Sequence, residues 1–288
     1  MASVRDIRRR IRSVKNMQQI TRAFQRVAFS RLRVAQARTL ASRPYAEAMR
    51  DVLRSLPRVT GSERDPLQEQ RSVANILVVH VTPDRGLCGA LPGNINRRLA
   101  RFILDQTAPV SVLATGRRGR DFVLRSGRKL VADFSGMGDA PSAADAAGVA
   151  RAAIEEFRSG RVDAVYLTYT RLVSTLRQEP AVIQLLPVAP AEEQQEERRP
   201  RALYEFEPEP GEVLQALLPR YVEMQIYQAL LESKASEQSA RMVAMQNASD
   251  NARDLQDSLT LTMNKARQAG ITRELAEIVG GAAALEQG

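Results

Sequence analysis

The chain of 288 residues is 44% hydrophobic but only 5% aromatic, and it lacks Trp. That suffices for one or two domains with a buried core, yet it is thin in aromatics for a compact enzyme and ordinary for a chain rich in long helices. Cys88 is the only cysteine and His80 the only histidine, which excludes an intramolecular disulfide and argues against an all-protein zinc site.

No run approaches the roughly 18 to 20 apolar residues needed to span a bilayer. The start, MASVRDIRRRIRSV, has no apolar core of a secretory signal, and Asp6 and the continuing helical pattern argue against a cleaved transit peptide. The expectation is a soluble, cytoplasmic protein. The net charge of +9 is concentrated at one end: positions 1–50 hold thirteen Lys and Arg against Asp6 and Glu47 alone. Such a segment predicts a negative partner, whether nucleic acid, anionic lipid or an acidic protein surface.

In chain order, Val4 to about Leu56 reads as one long helix. Ile7, Ile11, Val14, Gln18, Thr21, Gln25, Ala28, Leu32 and Ala35 recur by alternate threes and fours, the spacing of a coiled-coil seam. Beside them runs a second apolar row, Met17, Ile20, Phe24 and Val27. Pro44 either kinks this helix or marks its restart after a short break. Pro57 to Arg71 is polar, contains Gly61 and Pro66, and reads as a linker.

A different texture begins at Val73. Ala74 to Thr82 is a continuous apolar, β-branched run of buried-strand type. Further strands are expected at Val110–Ala114, Leu130–Phe134 and Val162–Thr170, with an edge strand at Pro180–Val188 limited by Pro187. Helices are expected at Asn94–Asp105, Arg117–Arg125 and Ala143–Arg158. This alternation implies a small Rossmann-like α/β domain with a mainly parallel sheet. Ala191 to Gly211, rich in Glu, Gln and Pro, reads as an exposed loop.

The last helix starts near Glu212 and runs to about Ala283, bent at Pro219 or Gly270 if anywhere. Its expected seam is Met245, Ala248, Ala252, Leu255, Leu259, Thr262 and Ala266. Two long helices at opposite ends of the chain, each with an unspent stripe, pair most simply as an antiparallel coiled coil. The expected fold is therefore an α/β insert on a long antiparallel α-helical coiled coil formed by the N- and C-terminal helices. The segments are 1–57 (first coil helix), 58–72 (linker), 73–190 (α/β domain), 191–211 (acidic, Pro-rich loop) and 212–288 (second coil helix).

Pro83 to Gly89, PDRGLCG, sits between a strand and a helix, where α/β sheets place phosphate loops. The run lacks G-x-G-x-x-G, and no G-x-x-x-x-G-K-[ST] occurs in the chain. A structural turn built on Asp84, Arg85, Gly86 and Gly89 is the better reading. Cys88 would need a positioned base to act as a nucleophile, and His80 lies within a buried strand. Asp250, Asp254 and Asp257 are interleaved with Arg253 and read as a solvated face rather than a metal site. Nucleic acid is disfavoured because stacking aromatics are nearly absent from the basic helix, Phe24 and Phe29 apart.

Three blocks make the chain resemble the gamma subunit of the F-type ATP synthase over nearly its full length: DIRRRIRSVKNMQQITRAFQRVAFSRLRVAQ from Asp6, PDRGLCG from Pro83, and SARMVAMQNASDNARDL from Ser239 with LTLTMNKARQAGITRELAEIVGGAAAL after it. The resemblance implies a non-catalytic central rotor shaft. One copy would stand inside an alpha3beta3 hexamer and meet the epsilon subunit and the membrane c-ring at its foot. It would couple ion flow to ATP synthesis and hydrolysis and regulate both, on the cytoplasmic face of a bacterial membrane.

The same resemblance implies no cofactor on this chain, with Mg-ATP and Mg-ADP held by beta subunits, and no nucleic-acid partner. Arg8, Arg9, Lys15, Arg22 and Arg26 become candidates for acidic beta loops, and Arg267, Gln268 and Thr272 for the upper contacts with the ring. Polar Gln18, Thr21 and Gln25 in the seam suit a shaft that turns within its surroundings. Phe24, Phe29, Pro83 and Ala90 depart from the family's usual Met, small residue, Ser and Gly. The paired cysteines of the light-regulated chloroplast form are missing, so no thiol switch of that kind is expected.

Overall fold

The structure is a computed structural model that describes residues 4–55, 65–188 and 209–286. Helix α1 covers Val4–Ser55, and α5 covers Pro210–Glu286. Between them lie strands β1 (Ile76–Val81), β2 (Val110–Thr115), β3 (Leu130–Asp133), β4 (Ala164–Leu172) and β5 (Gln178–Leu186). Helices α2 (Leu91–Leu104), α3 (Arg117–Arg125) and α4 (Ala143–Arg158) connect them. The chain divides into two compact units, 1–27 with 242–288, and 28–241, so the division falls inside both long helices.

In the first unit α1 and α5 pair along a polar-apolar seam. Ile7, Thr21, Met245, Ser249 and Ala252 are buried there, and the Gln25 amide hydrogen-bonds the Gln246 side-chain oxygen. In the second unit Arg43 of α1 lies close enough to Glu232 of α5 to act on its charge. Residue numbers thus rise along one helix as they fall along the other: the pairing is antiparallel. On α1 the inward positions step by threes and fours from Ile7 to Met49, as the sequence pattern predicts. Pro44 does not break the helix, which is continuous through it.

On α5 the expected phase is corrected. Leu255 and Thr262 are exposed, and the inward stripe runs Met245, Ser249, Ala252, Gln256, Leu259, Met263, Ala266. Two interleaved stripes share Met245, Ala252, Leu259 and Ala266. Hydrophobicity favours the one with Ala248 and Leu255, while packing selects the one with Ser249 and Gln256.

In the second unit the sheet order is β3-β2-β1-β4-β5, parallel except for β5, which is antiparallel to β4. β1 is buried along its whole length and alternates between two cores. Leu77, Val79 and Val81 face α4 and the start of α5, whose Leu214, Leu218, Val222 and Ile226 pack there. Ile76 and Val78 face α2 and α3, with Leu99, Phe102 and Val123. β5 tolerates Pro180 because it forms the edge, and it ends before Pro187, which has no N–H to donate. Ser142 and Asp145 form a reciprocal capping box at the start of α4.

Leu67 overturns part of the linker reading. Asp65 caps a 3-10 turn, Pro66–Gln68, and drives Leu67 fully into the core beside α4. The rest of that expected linker at 57–64, and the acidic loop at 191–208, lie outside the described residues.

Candidate partner-binding surfaces

Every partner candidate read from the sequence lies in the first unit, and all are exposed: Arg8, Arg9, Lys15, Arg22, Arg26, Arg267, Gln268 and Thr272. Arg8, Lys15 and Arg22 repeat every seven residues and Arg26 follows by four, so they share a stripe next to the seam. Arg9 falls off that stripe and is ion-paired to Asp6 at 2.9 Å. Thr272 donates from its hydroxyl to the Gln268 carbonyl at 3.0 Å.

Met17, Ile20, Phe24 and Val27 do not widen the seam. About 100° per residue puts them on the outer face of α1, where each is about half exposed. From Arg267 to Val279 every α5 side chain is exposed, including Ile271, Leu275 and Ile278, spaced as one stripe. Counting back from the Gln25–Gln246 pair sets Val4, the first described residue of α1, opposite Arg267.

The Pro83–Gly89 segment is a turn held by side chains of the second unit. The Asp84 carboxylate accepts from the Arg117 amide at 3.0 Å and the Gly136 amide at 3.1 Å, tying β1 to α3 and to the loop after β3. Gly89 takes φ +59°, in the left-handed region, and so does Leu87 at +63°. A Cβ on Gly86 would come within 3.0 Å of the Arg118 guanidinium. Arg85 gives its carbonyl to the Cys88 thiol at 3.7 Å.

Residues that sequence reading missed enclose α5 at this point. Ala235, Ser236, Glu237, Gln238 and Ser239 are all buried. The Glu237 carboxylate accepts from Arg241 at 2.7 Å and from Lys234 at 3.1 Å, and Arg241 also donates to the Gly86 carbonyl at 3.2 Å. Ser236 donates to the Thr170 carbonyl at 3.1 Å and Ser239 to the Thr175 carbonyl at 2.6 Å. The only advance sign was composition, a small and polar run, ASEQSAR, in mid-helix.

A small open crevice lies at the carboxyl ends of β1 and β2, lined by Thr82, Asp84, Thr115 and Phe134. Here Leu230, Ser233, Lys234 and Glu237 of α5 form its other wall.

His80 does not meet Cys88. Its Nδ1 is 2.6 Å from the Thr168 hydroxyl and its Nε2 2.9 Å from the Asn96 side-chain oxygen. Burial pushes the imidazole pKa down to about 4, and the Asn96 hydrogen bond opposes that shift only in part. Burial also raises the Cys88 thiol pKa, which disfavours the thiolate. Asp250, Asp254 and Asp257 are exposed, and among the described residues no three potential metal ligands converge. No described helix is long and apolar enough to cross a membrane.

Fold and surfaces together define a class: a two-helix antiparallel coil interrupted by an α/β insert, with a stripe of exposed basic side chains on α1. The family model for ATP synthase matches residues 3–285. The ATP synthase gamma chain of Dehalococcoides mccartyi strain CBDB1 is 49% identical over 287 residues, covering 99% of this chain and all of that one. That of Roseiflexus castenholzii is 51% identical over 292 residues, covering all of both. The chain belongs to the ATP synthase gamma chain family.

Solved structures share the fold. A chain of the Euglena gracilis mitochondrial ATP synthase rotor in rotational state 1 matches at a TM-score of 0.68 and 21% identity, over 93% of this chain and 98% of that one. A chain of the Tetrahymena thermophila mitochondrial ATP synthase central stalk and c-ring matches at 0.61 and 24%, over 80% and 99%.

Proposed function

We propose that the chain is the central rotor shaft of a membrane-associated F-type ATP synthase, with the ATP chemistry carried out on partner beta subunits. One copy stands within an alpha3beta3 hexamer and meets epsilon and the c-ring at the other end, on the cytoplasmic face of the membrane. The observation that carries this reading is the exposed coil, with Arg8, Lys15, Arg22 and Arg26 in one stripe and an uncovered α5 end. Full-length identity of about half to gamma chains supports it.

A shaft changes a catalytic site by touching one conformation of its partner better than another, which shifts the population between them. Basic side chains suit a contact that changes angle, because Coulomb attraction falls off gradually with distance. Arg267, Gln268 and Thr272 serve the far contacts with the ring. Affinity purification of the tagged chain from its own cells tests the reading. Alpha, beta and epsilon subunits are expected to co-purify, and the isolated chain is expected not to hydrolyse ATP. A lone monomer without those partners would overturn it.

A further inference from the structure

Five consecutive buried residues turn through about 400°, so between Ala235 and Ser239 helix α5 is enclosed on all sides. A helix enclosed all round is ordinarily apolar; here Ser236, Glu237, Gln238 and Ser239 are polar. Their partners come from three separate segments. The end of β4 and the turn after it take Ser236 and Ser239 through the Thr170 and Thr175 carbonyls. The β1–α2 turn takes Arg241 through the Gly86 carbonyl. The loop after β3 takes Gln238 through Asp139 at 3.4 Å, and Asp139 is itself ion-paired to Arg31 of α1 at 2.6 Å.

At about 100° per residue, the serines project from one side of the helix and Lys234, Glu237 and Arg241 from a side nearly half a turn away. Gln238 lies further round. Burying an ion cluster costs desolvation that an apolar contact would not. The Glu237 pairs lie within α5 and hold Arg241 in place; angular definition comes from the hydrogen bonds that leave the helix, which weaken steeply off axis, whereas apolar packing is non-directional. The apolar stripe from Leu214 to Leu230 holds α5 onto the sheet but leaves it freer to roll.

We propose that Ser236, Gln238, Ser239 and Arg241, the last held in place by Glu237 of the same helix, form a torsional lock that stops α5 turning about its own axis within the α/β insert. The lock rests on the rotor reading: torque carried along α5 would reach the insert without slip. These are positioning residues, since they touch only their own chain.

The test uses the whole ATP synthase complex, with a bead attached to the insert through Leu104→Cys, an exposed site at the end of α2. In a halted complex the thermal spread of the bead angle reports torsional stiffness. Glu237→Ala with Arg241→Ala is expected to raise the variance of that angle about twofold, because it removes the Arg241 hydrogen bond to the Gly86 carbonyl and the carboxylate that aims it. Glu237→Gln, which keeps an acceptor and the side-chain volume, is expected to raise it less.

Unchanged variance in complexes that assemble and rotate overturns the lock. If the double alanine variant does not assemble, Ser236→Ala with Ser239→Ala and Glu237→Gln decide the matter by the same measurement. A wild-type complex whose bead never rotates removes the rotor reading itself, an outcome distinct from normal rotation at unaltered stiffness.

Discussion

The side-chain amide nitrogen of Gln25 donates to the side-chain oxygen of Gln246 across the seam between α1 and α5. A polar pair inside a coil weakens packing but fixes which turns face each other. Removing one partner strands the other, whereas removing both can be stabilising. Gln25→Leu alone is expected to lower stability by about 1 kcal/mol, and Gln25→Leu with Gln246→Leu to restore or exceed the wild type. Urea unfolding of the four chains of this cycle checks it.

His80 makes stability depend on pH. The unfolded imidazole titrates near 6.5 and the buried one near 4, so on acidification the unfolded chain takes up its proton first. The contribution is complete above about pH 6.5 and declines down to about pH 4. Its full size is roughly 3 kcal/mol. The stability gap between wild type and His80→Gln is expected to narrow over that interval. A gap that stays constant from pH 7 to 4 contradicts the assignment.

Gly116 and Gly119 allow α3 to close on β1. A Cβ at Gly116 would lie 2.1 Å from the Thr82 carbonyl oxygen, and one at Gly119 2.7 Å from the His80 ring. Gly116 also sits at φ +142°. Gly116→Ala meets backbone that cannot swing aside and is expected to cost more than about 3 kcal/mol, with Gly119→Ala costing about 1 to 3 kcal/mol. Thermal unfolding of the two variants gives the order.

Leu67 anchors the approach to the sheet. It is wholly buried between α4 and the core, so Leu67→Ala is expected to cost about 2 to 5 kcal/mol. Asp65→Ala, which removes the cap on the Leu67 amide at 2.7 Å, is expected to cost about 1 kcal/mol. Denaturant titration that finds Leu67→Ala neutral would mean this segment is not held in solution.

Reversing Arg8, Arg9 and Arg26 to Glu tests the electrostatic side of the proposed function. All three are exposed, so melting of the isolated chain is expected to shift little. Affinity for the alpha-beta ring is expected to fall about tenfold or more, and most at low salt. Unaltered ATP-driven proton pumping by the reconstituted variant complex would remove these arginines from the contact.

Much of the architecture could be read from period and punctuation. The bounds of α3 and α4 agree to the residue because Gly and a capping Ser mark them. The α1 seam was legible because its polar members keep the three-four spacing. The α5 seam was not: Ser249 is buried and Gln256 half-buried by the approach of α1, and no local propensity announces that. Leu67 was hidden by the polar residues around it. Glu237 was hidden for the opposite reason: Lys234 and Arg241 stand at helical spacing from it in the sequence, but a charged cluster in mid-helix ordinarily means solvent, and only the tertiary arrangement buries it.

The bare stretch of α5 beyond Arg267 carries a thermal consequence. A helical segment without lateral support frays from its free end, and short ones barely persist in water. In the isolated chain the α5 turns between Arg267 and Val279, whose side chains are all exposed, are therefore expected to soften first on heating.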